Sequence, residues 1–126
     1  MENNLNQFDG KPFLNLETVR KNGQSMKTPV WFTQVGDVIY VRTVAGSGKV
    51  KRVRNKGTVR IVPCEANGTP TGEWVPAHAV EVTDEGTAEL VAGLLEKKYG
   101  TVQVSSFAAA TAARGNRYTV LRIELK

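Results

Sequence analysis

The sequence predicts a mainly β protein, a small closed or split β-barrel of six antiparallel strands with a helix packed on it. Three observations lead there. Apolar and β-branched residues recur mainly at period two. Turn signals bearing glycine, proline or asparagine separate these runs at the spacing of short antiparallel hairpins. Five strand-like runs come before the one long segment with helical periodicity, an order that a doubly wound parallel sheet does not produce.

Phe13 to Arg20 reads as the first strand, and Lys21-Asn22-Gly23-Gln24 as a hairpin turn whose glycine is free to take positive φ. Ser25 to Val35 is the returning strand, and Gly36-Asp37 turns into a third, Val38 to Val44. That third strand is almost all apolar or β-branched, so both its faces are expected to be covered. Alternation puts Arg42 on the face of Val38 and Tyr40, and Thr43 on the face of Ile39 and Val41. Ala45-Gly46-Ser47-Gly48 breaks the strand, and Lys49 to Asn55 is one or two turns of basic helix with Ser47 as its N-cap. Thr58 to Cys64 and Trp74 to Val82 are the fourth and fifth strands, joined by a polar loop from Glu65 to Gly72.

Asp84 caps the best helix, Glu85 to Tyr99, which has acids early, lysines late, Gly100 as a stop, and an apolar stripe through Ala88, Val91, Leu94 and Leu95. Thr101 to Gly115 is rich in small residues and stays open between helix and loop. Arg117 to Leu125 alternates and closes the sheet as the sixth strand. With 126 residues and neither a repeat nor a linker, residues 1–126 form a single domain.

A composition of 40% hydrophobic and 23% charged residues is that of a folded globular chain, and no run approaches the roughly 18 apolar residues of a membrane span. One cysteine allows no internal disulfide, and no secretory signal opens the chain, so a cytoplasmic protein is expected. The net charge of +5 is concentrated. Seven of the 17 Lys and Arg, and none of the 12 Asp and Glu, lie between Arg42 and Arg60. Excess charge gathered in this way points to an anionic partner met locally.

The segment from Val41 to Arg52 is the most informative. A strand runs into glycines, then a hydroxyl, then a helix whose first turn carries lysine, so free backbone N–H groups, the positive helix end and a cation converge as a phosphate cup around Ser47, Gly48 and Lys49. It is not the nucleotide-hydrolase loop, because Thr43 and Val50 stand where that pattern needs glycine and a hydroxyl. Catalytic side-chain sets are absent: the lone His78 falls mid-strand, Cys64 has no paired base in view, and the two cannot build a zinc site. Reaction chemistry would therefore be carried by a bound cofactor. A second marked segment, Thr28-Pro29-Val30-Trp31-Phe32, sets a proline in a strand beside two aromatics. It reads either as a barrel-closing bulge with a core tryptophan or as backbone laid against a flat ring.

Several runs taken together, Phe13-Leu14-Asn15-Leu16-Glu17-Thr18-Val19-Arg20-Lys21-Asn22-Gly23, Lys27-Thr28-Pro29-Val30-Trp31-Phe32, Tyr40-Val41-Arg42-Thr43, Gly46-Ser47-Gly48-Lys49-Val50-Lys51-Arg52, Pro63-Cys64 and Pro70-Thr71-Gly72-Glu73-Trp74-Val75, resemble the pyridoxamine-phosphate-oxidase-like split-barrel family. The likeness is to its branch of flavin- and deazaflavin-dependent reductases and spans Phe13 to Val82, about half of the chain. It implies a homodimer with two cofactor sites at the subunit interface, taking FMN or the deazaflavin coenzyme (F-420). Thr28, Pro29, Val30 and Trp31 would line the ring, Arg42 and Thr43 would reach the ribityl-phosphate arm, and Ser47, Gly48, Lys49 and Arg52 would hold the phosphate. Trp74 would reach the partner's site. The late histidine of members acting on pyridoxal phosphates is missing, and Arg114 and Arg117 are the candidates for their late arginines.

The activity so implied is hydride transfer between the cofactor and a small organic substrate. A non-catalytic flavin carrier or sensor would share every cofactor residue and lack only a substrate pocket. A single-strand nucleic-acid-binding barrel is the third reading, disfavoured because aromatics are only 7% and do not interleave with the basic cluster.

Overall fold

The computed structural model describes residues 4–115 and 117–125. A 3-10 turn (Asn4–Phe8) leads into β1 (Phe13–Val19), β2 (Ser25–Val30), β3 (Thr33–Val35) and β4 (Val38–Val44). Then come α1 (Gly48–Asn55), β5 (Thr58–Cys64), β6 (Val75–Val82), α2 (Glu85–Tyr99), α3 (Thr101–Ala113) and β7 (Tyr118–Leu125). The seven strands make one antiparallel sheet in the order β2-β1-β5-β6-β7-β4-β3. Its two edges, β2 and β3, are consecutive in the chain and only Trp31 and Phe32 apart, so the sheet must curl until its edges meet.

Here the chain departs from the six-strand expectation. Ser25 to Val35 is two strands, because Phe32 donates its backbone N–H to the Tyr99 hydroxyl (3.1 Å) instead of to a ladder. Pro29, which has no N–H to give, sits in edge strand β2, where the missing donor costs least. The segment from Thr101, open between helix and loop by composition, is helical to Ala113, as its alanines favour. Trp74 lies just outside β6, and α1 begins at Gly48.

The inner face of the curl holds Leu14, Leu16, Ile39, Val41, Ile61, Ala77, Leu121 and Ile123, with Val50 and Val53 of α1 packed on them and Phe8 meeting Phe32 edge-on (6.0 Å between centroids). Part of the outer face of β7 and β4 is covered by the helix pair: Val91, Leu95 and Val104 pack on Val120, with Trp31, Tyr40 and Tyr99 at the margin. Of the expected stripe on α2, Val91 and Leu95 are buried, Leu94 is half-buried, and Ala88 is exposed.

The α2 C-terminus is tied to the crossing between the sheet edges. The Tyr99 hydroxyl donates to the Pro12 carbonyl (2.7 Å) while accepting from Phe32 N–H, and its ring stacks on Trp31 (4.3 Å, 7° between planes). Burial pushes this phenol up to about 12. Lys98 is exposed as a residue, but its ammonium reaches the Phe32 carbonyl (2.9 Å) and lies 3.5 Å from the centre of the Phe32 ring, and desolvation there brings it down to about 8. Tyr99→Phe keeps the stacked ring and leaves two backbone groups without their partner, so urea unfolding is expected to show a loss of about 1–3 kcal/mol with an unchanged m value.

Candidate functional site

The first group of predicted residues surrounds the start of α1. Gly46 turns the chain out of β4 at φ 81°, and Ser47 follows in extended conformation at the N-cap position. The Ser47 carbonyl accepts from Lys51 N–H (3.1 Å), but its side chain caps nothing, and Oγ is buried without a hydrogen-bond partner. Gly48 leaves room for the Arg52 guanidinium, since a Cβ there would stand 2.7 Å from Arg52 Nη1. Arg52 Nε in turn donates to Thr18 Oγ1 on β1 (2.6 Å). Lys49 is half-buried, and its ammonium is pushed down from its usual range by burial and then by the charge of Arg52. Arg52 is lowered by burial and then by Arg20.

Among the described residues neither Lys49 nor Arg52 has a carboxylate partner. The first N–H groups of a helix also have no acceptor within it. A buried hydroxyl, the Lys49 and Arg52 cations and the free amides therefore cluster at the start of α1 with no carboxylate paired to either cation among the described residues, an arrangement that suits a phosphate.

The second group lies on the outer face of β4. Val30, Trp31 and Arg42 come together with Leu95 and Tyr118 around a pocket of about 180 Å³. The Arg42 guanidinium sits over the Tyr118 ring (4.1 Å). Arg42 and Tyr118 also line a neighbouring cleft of about 400 Å³ that includes Arg54, Glu81, Thr83 and Arg117. Arg54 is committed there to Glu81 by two bonds (2.6 and 3.1 Å), and Thr119 Oγ1 donates to the same carboxylate (2.7 Å). The Arg54 guanidinium first of all holds Glu81 below the usual carboxylate range.

The remaining predicted residues are elsewhere. Thr28 pairs opposite Leu16 and shares its inward face, and Thr43 is buried on the inner face of β4, away from Arg42. Pro29 pairs opposite Asn15 on the outer side of β1. Trp74 stands on that outer side between Lys27 (5.7 Å) and Arg60 (5.4 Å), and Arg60 grips Glu17 through two bonds (2.6 and 2.8 Å). Glu17 and Thr18 point to opposite faces of β1, so within one chain Trp74 is not brought to the Ser47 cluster. His78 is exposed on β6, and burial pushes the Cys64 thiol up. Among the described residues no group of three or more His, Cys, Asp and Glu is placed to hold a metal ion, and no helix is long and apolar enough to cross a membrane.

Comparison of the whole backbone with solved structures finds the same curled sheet. The heme storage protein HutZ of Vibrio cholerae superposes with a TM-score of 0.72 at 13% identity, covering 100% of this chain and 92% of that one. A putative pyridoxamine 5'-phosphate oxidase of Listeria innocua gives 0.68 at 15% identity, covering 97% and 90%. The chain has the pyridoxamine-phosphate-oxidase-like split-barrel fold. An FAD-binding protein of Mesorhizobium loti is a further similar split barrel, with TM-score 0.64, 15% identity, and 96% and 84% coverage. At these identities the likeness is one of fold. No protein-family model matches the chain, and no curated protein matches it in sequence.

Several residues around the split barrel's clefts escape a reading along the chain. Thr18 reaches the α1 cluster from β1, Arg20 just past β1 adds its charge to that of Arg52, and Tyr99 and Tyr118 supply the rings against Trp31 and Arg42. The only available signal is strand register, which sets Tyr118 beside Val44 and so next to Arg42. If the α1 cluster accepts phosphate, inorganic phosphate at about ten times its Kd will stabilise the protein by about 1.4 kcal/mol relative to chloride at equal ionic strength. Thermal melts will show that gain largely lost in Lys49→Ala.

Proposed function

We propose that this split barrel binds a phosphate-bearing flavin-type cofactor, FMN or the deazaflavin coenzyme (F-420), and serves as an oxidoreductase for a small organic substrate. The observation that carries the proposal is the uncompensated anion site: among the described residues a buried Ser47 Oγ has no hydrogen-bond partner, and Lys49 and Arg52 beside it have no carboxylate. The residues at the start of α1 fit the phosphate of such a group. Ser47, the Gly48 and Lys49 amides, Lys49 and Arg52 would hold the phosphate, with Thr18 keeping the Arg52 guanidinium in place. Val30 and Trp31, with Arg42 across the pocket, offer an apolar wall and a planar cation to a flat ring. The similar folds described as an FAD-binding protein and a putative pyridoxamine 5'-phosphate oxidase lend the reading support.

When bound, a flavin or deazaflavin supplies hydride-transfer chemistry. This chain's own part is to anchor the anionic arm, orient the ring between Trp31 and Arg42, and keep water from it with Val30 and Leu95. Nothing in that division of labour needs a side-chain acid or base. We further propose a homodimer in which Trp74, held on the far face of β1, serves the partner's site.

The test is a titration of the purified protein with FMN and with the deazaflavin coenzyme, followed by cofactor fluorescence. Tight binding of one, weakened by about 1.5–3 kcal/mol in Lys49→Ala, is the expected result. Affinity untouched by Lys49→Ala removes the α1 cluster from the site. Binding without turnover of any acceptor makes the protein a carrier. Light scattering at micromolar concentration is expected to give twice the chain mass of 13.8 kDa.

A further inference from the structure

A separate cleft of about 600 Å³ shares Trp31 with the Arg42 pocket. Pro12 and Phe13 contribute from the start of β1, Trp31 from the crossing between the sheet edges, and Tyr99, Val102, Gln103 and Ser106 from the corner of α2 and α3. No Asp, Glu, Lys or Arg is among the described residues lining it, although the protein carries a net charge of +5. Its size is that of sites for small organic molecules, which are mostly apolar with a few placed polar groups. Gln103 and Ser106 are three apart on α3 and so share a face, where one amide and one hydroxyl offer both donors and acceptors.

The walls are set before any ligand arrives. The Tyr99 hydroxyl is bonded to the Pro12 carbonyl and to Phe32 N–H, and the Tyr99 ring is stacked on Trp31, so three lining residues from three distant segments are locked together. A preformed wall reduces the ordering cost of binding. Val102 meanwhile stands at the cleft 81% exposed, an apolar side chain with no cover of its own.

We propose that this cleft is a binding site for a neutral, flat, largely apolar small molecule, distinct from the anion site at α1 and from the Arg42 pocket. A charged ligand would find no countercharge among the described lining residues, the neighbouring Lys98 ammonium (5.2 Å from the Tyr99 ring centre) being held at the Phe32 carbonyl (2.9 Å), and a flat one would lie against Pro12, Phe13 and the Trp31–Tyr99 pair. The site stands whether or not a flavin binds elsewhere, and Trp31, which borders both pockets, reports on it.

The experiment uses N-phenylnaphthylamine, a neutral aromatic amine whose emission rises in apolar surroundings, on the full chain with Trp74→Phe so that Trp31 is the one tryptophan. Saturable quenching of Trp31 with one equivalent bound is expected. Gln103→Glu, which puts a charge into the lining, and Ser106→Phe, which fills it, should each weaken binding by about tenfold. Leu90→Glu, at an exposed apolar residue on α2 outside the cleft, should leave binding unchanged. Addition of FMN to the unsubstituted chain, followed by the emission of the amine, should leave the amine in place.

Four results overturn the proposal. No saturable quenching up to the solubility limit of the amine would mean no site. Equal effects of Leu90→Glu and the lining variants would mean general surface adsorption. One-for-one displacement by FMN would make the cleft part of the cofactor site. Absence of binding together with dissociation of a dimer by Val102→Glu would make it a contact between copies of the chain. Failure of the flavin titration alone leaves the proposal standing.

Discussion

The hydroxyl of Tyr99 sits where the two edges of the sheet are joined, and the arrangement of both clefts depends on it. A sheet that curls must carry the chain from one edge to the other, and here only Trp31 and Phe32 span that gap. Neither residue is in a strand, so the Phe32 peptide needs partners from outside the sheet. Tyr99 answers the N–H and Lys98 the carbonyl, from the last turn of a helix 66 residues or more away in the chain. The same contact seats α2 on the outer face and turns the Trp31 ring parallel to Tyr99.

Charge is distributed around this frame in two ways. Arg54 with Glu81, and Arg60 with Glu17, are closed pairs with two hydrogen bonds each, and both carboxylates lie on the sheet. At the start of α1 the pattern is different: burial and then the charge of Arg52 lower Lys49, burial and then the charge of Arg20 lower Arg52, and among the described residues no acid pairs with Lys49 or Arg52. Positive charge gathered without compensation costs stability unless a ligand supplies the opposite sign. That contrast separates the cations that hold the fold together from those available to an anion.

Much of this was legible along the chain. Period-two runs located the strands, the capped amphipathic segment located α2, and the glycine-serine-glycine-lysine run located a helix start with free amides. What alternation could not show was where the second strand stops. Ser25 to Val35 looks continuous because no glycine interrupts it between Gly23 and Gly36, yet its halves pair with different strands, β1 and β4, and the Phe32 N–H between them goes to the Tyr99 hydroxyl. Trp74 illustrates the same limit. Its place between Lys27 and Arg60 follows from the pairing of both residues with Glu17, a register that no local signal carries.

By itself, the sequence determined the mainly β class, the positions of the turns and helix caps, the alternation that puts Arg42 and Thr43 on opposite faces, and the concentration of charge near α1, because each depends on neighbours within a few residues. Tertiary structure alone decided which edges meet, which arginines are spent on carboxylates, and which aromatic rings face each other across a cleft. Those are contacts between segments dozens of residues apart, and the curl of the sheet, set by packing on its two faces, is what brings them within reach.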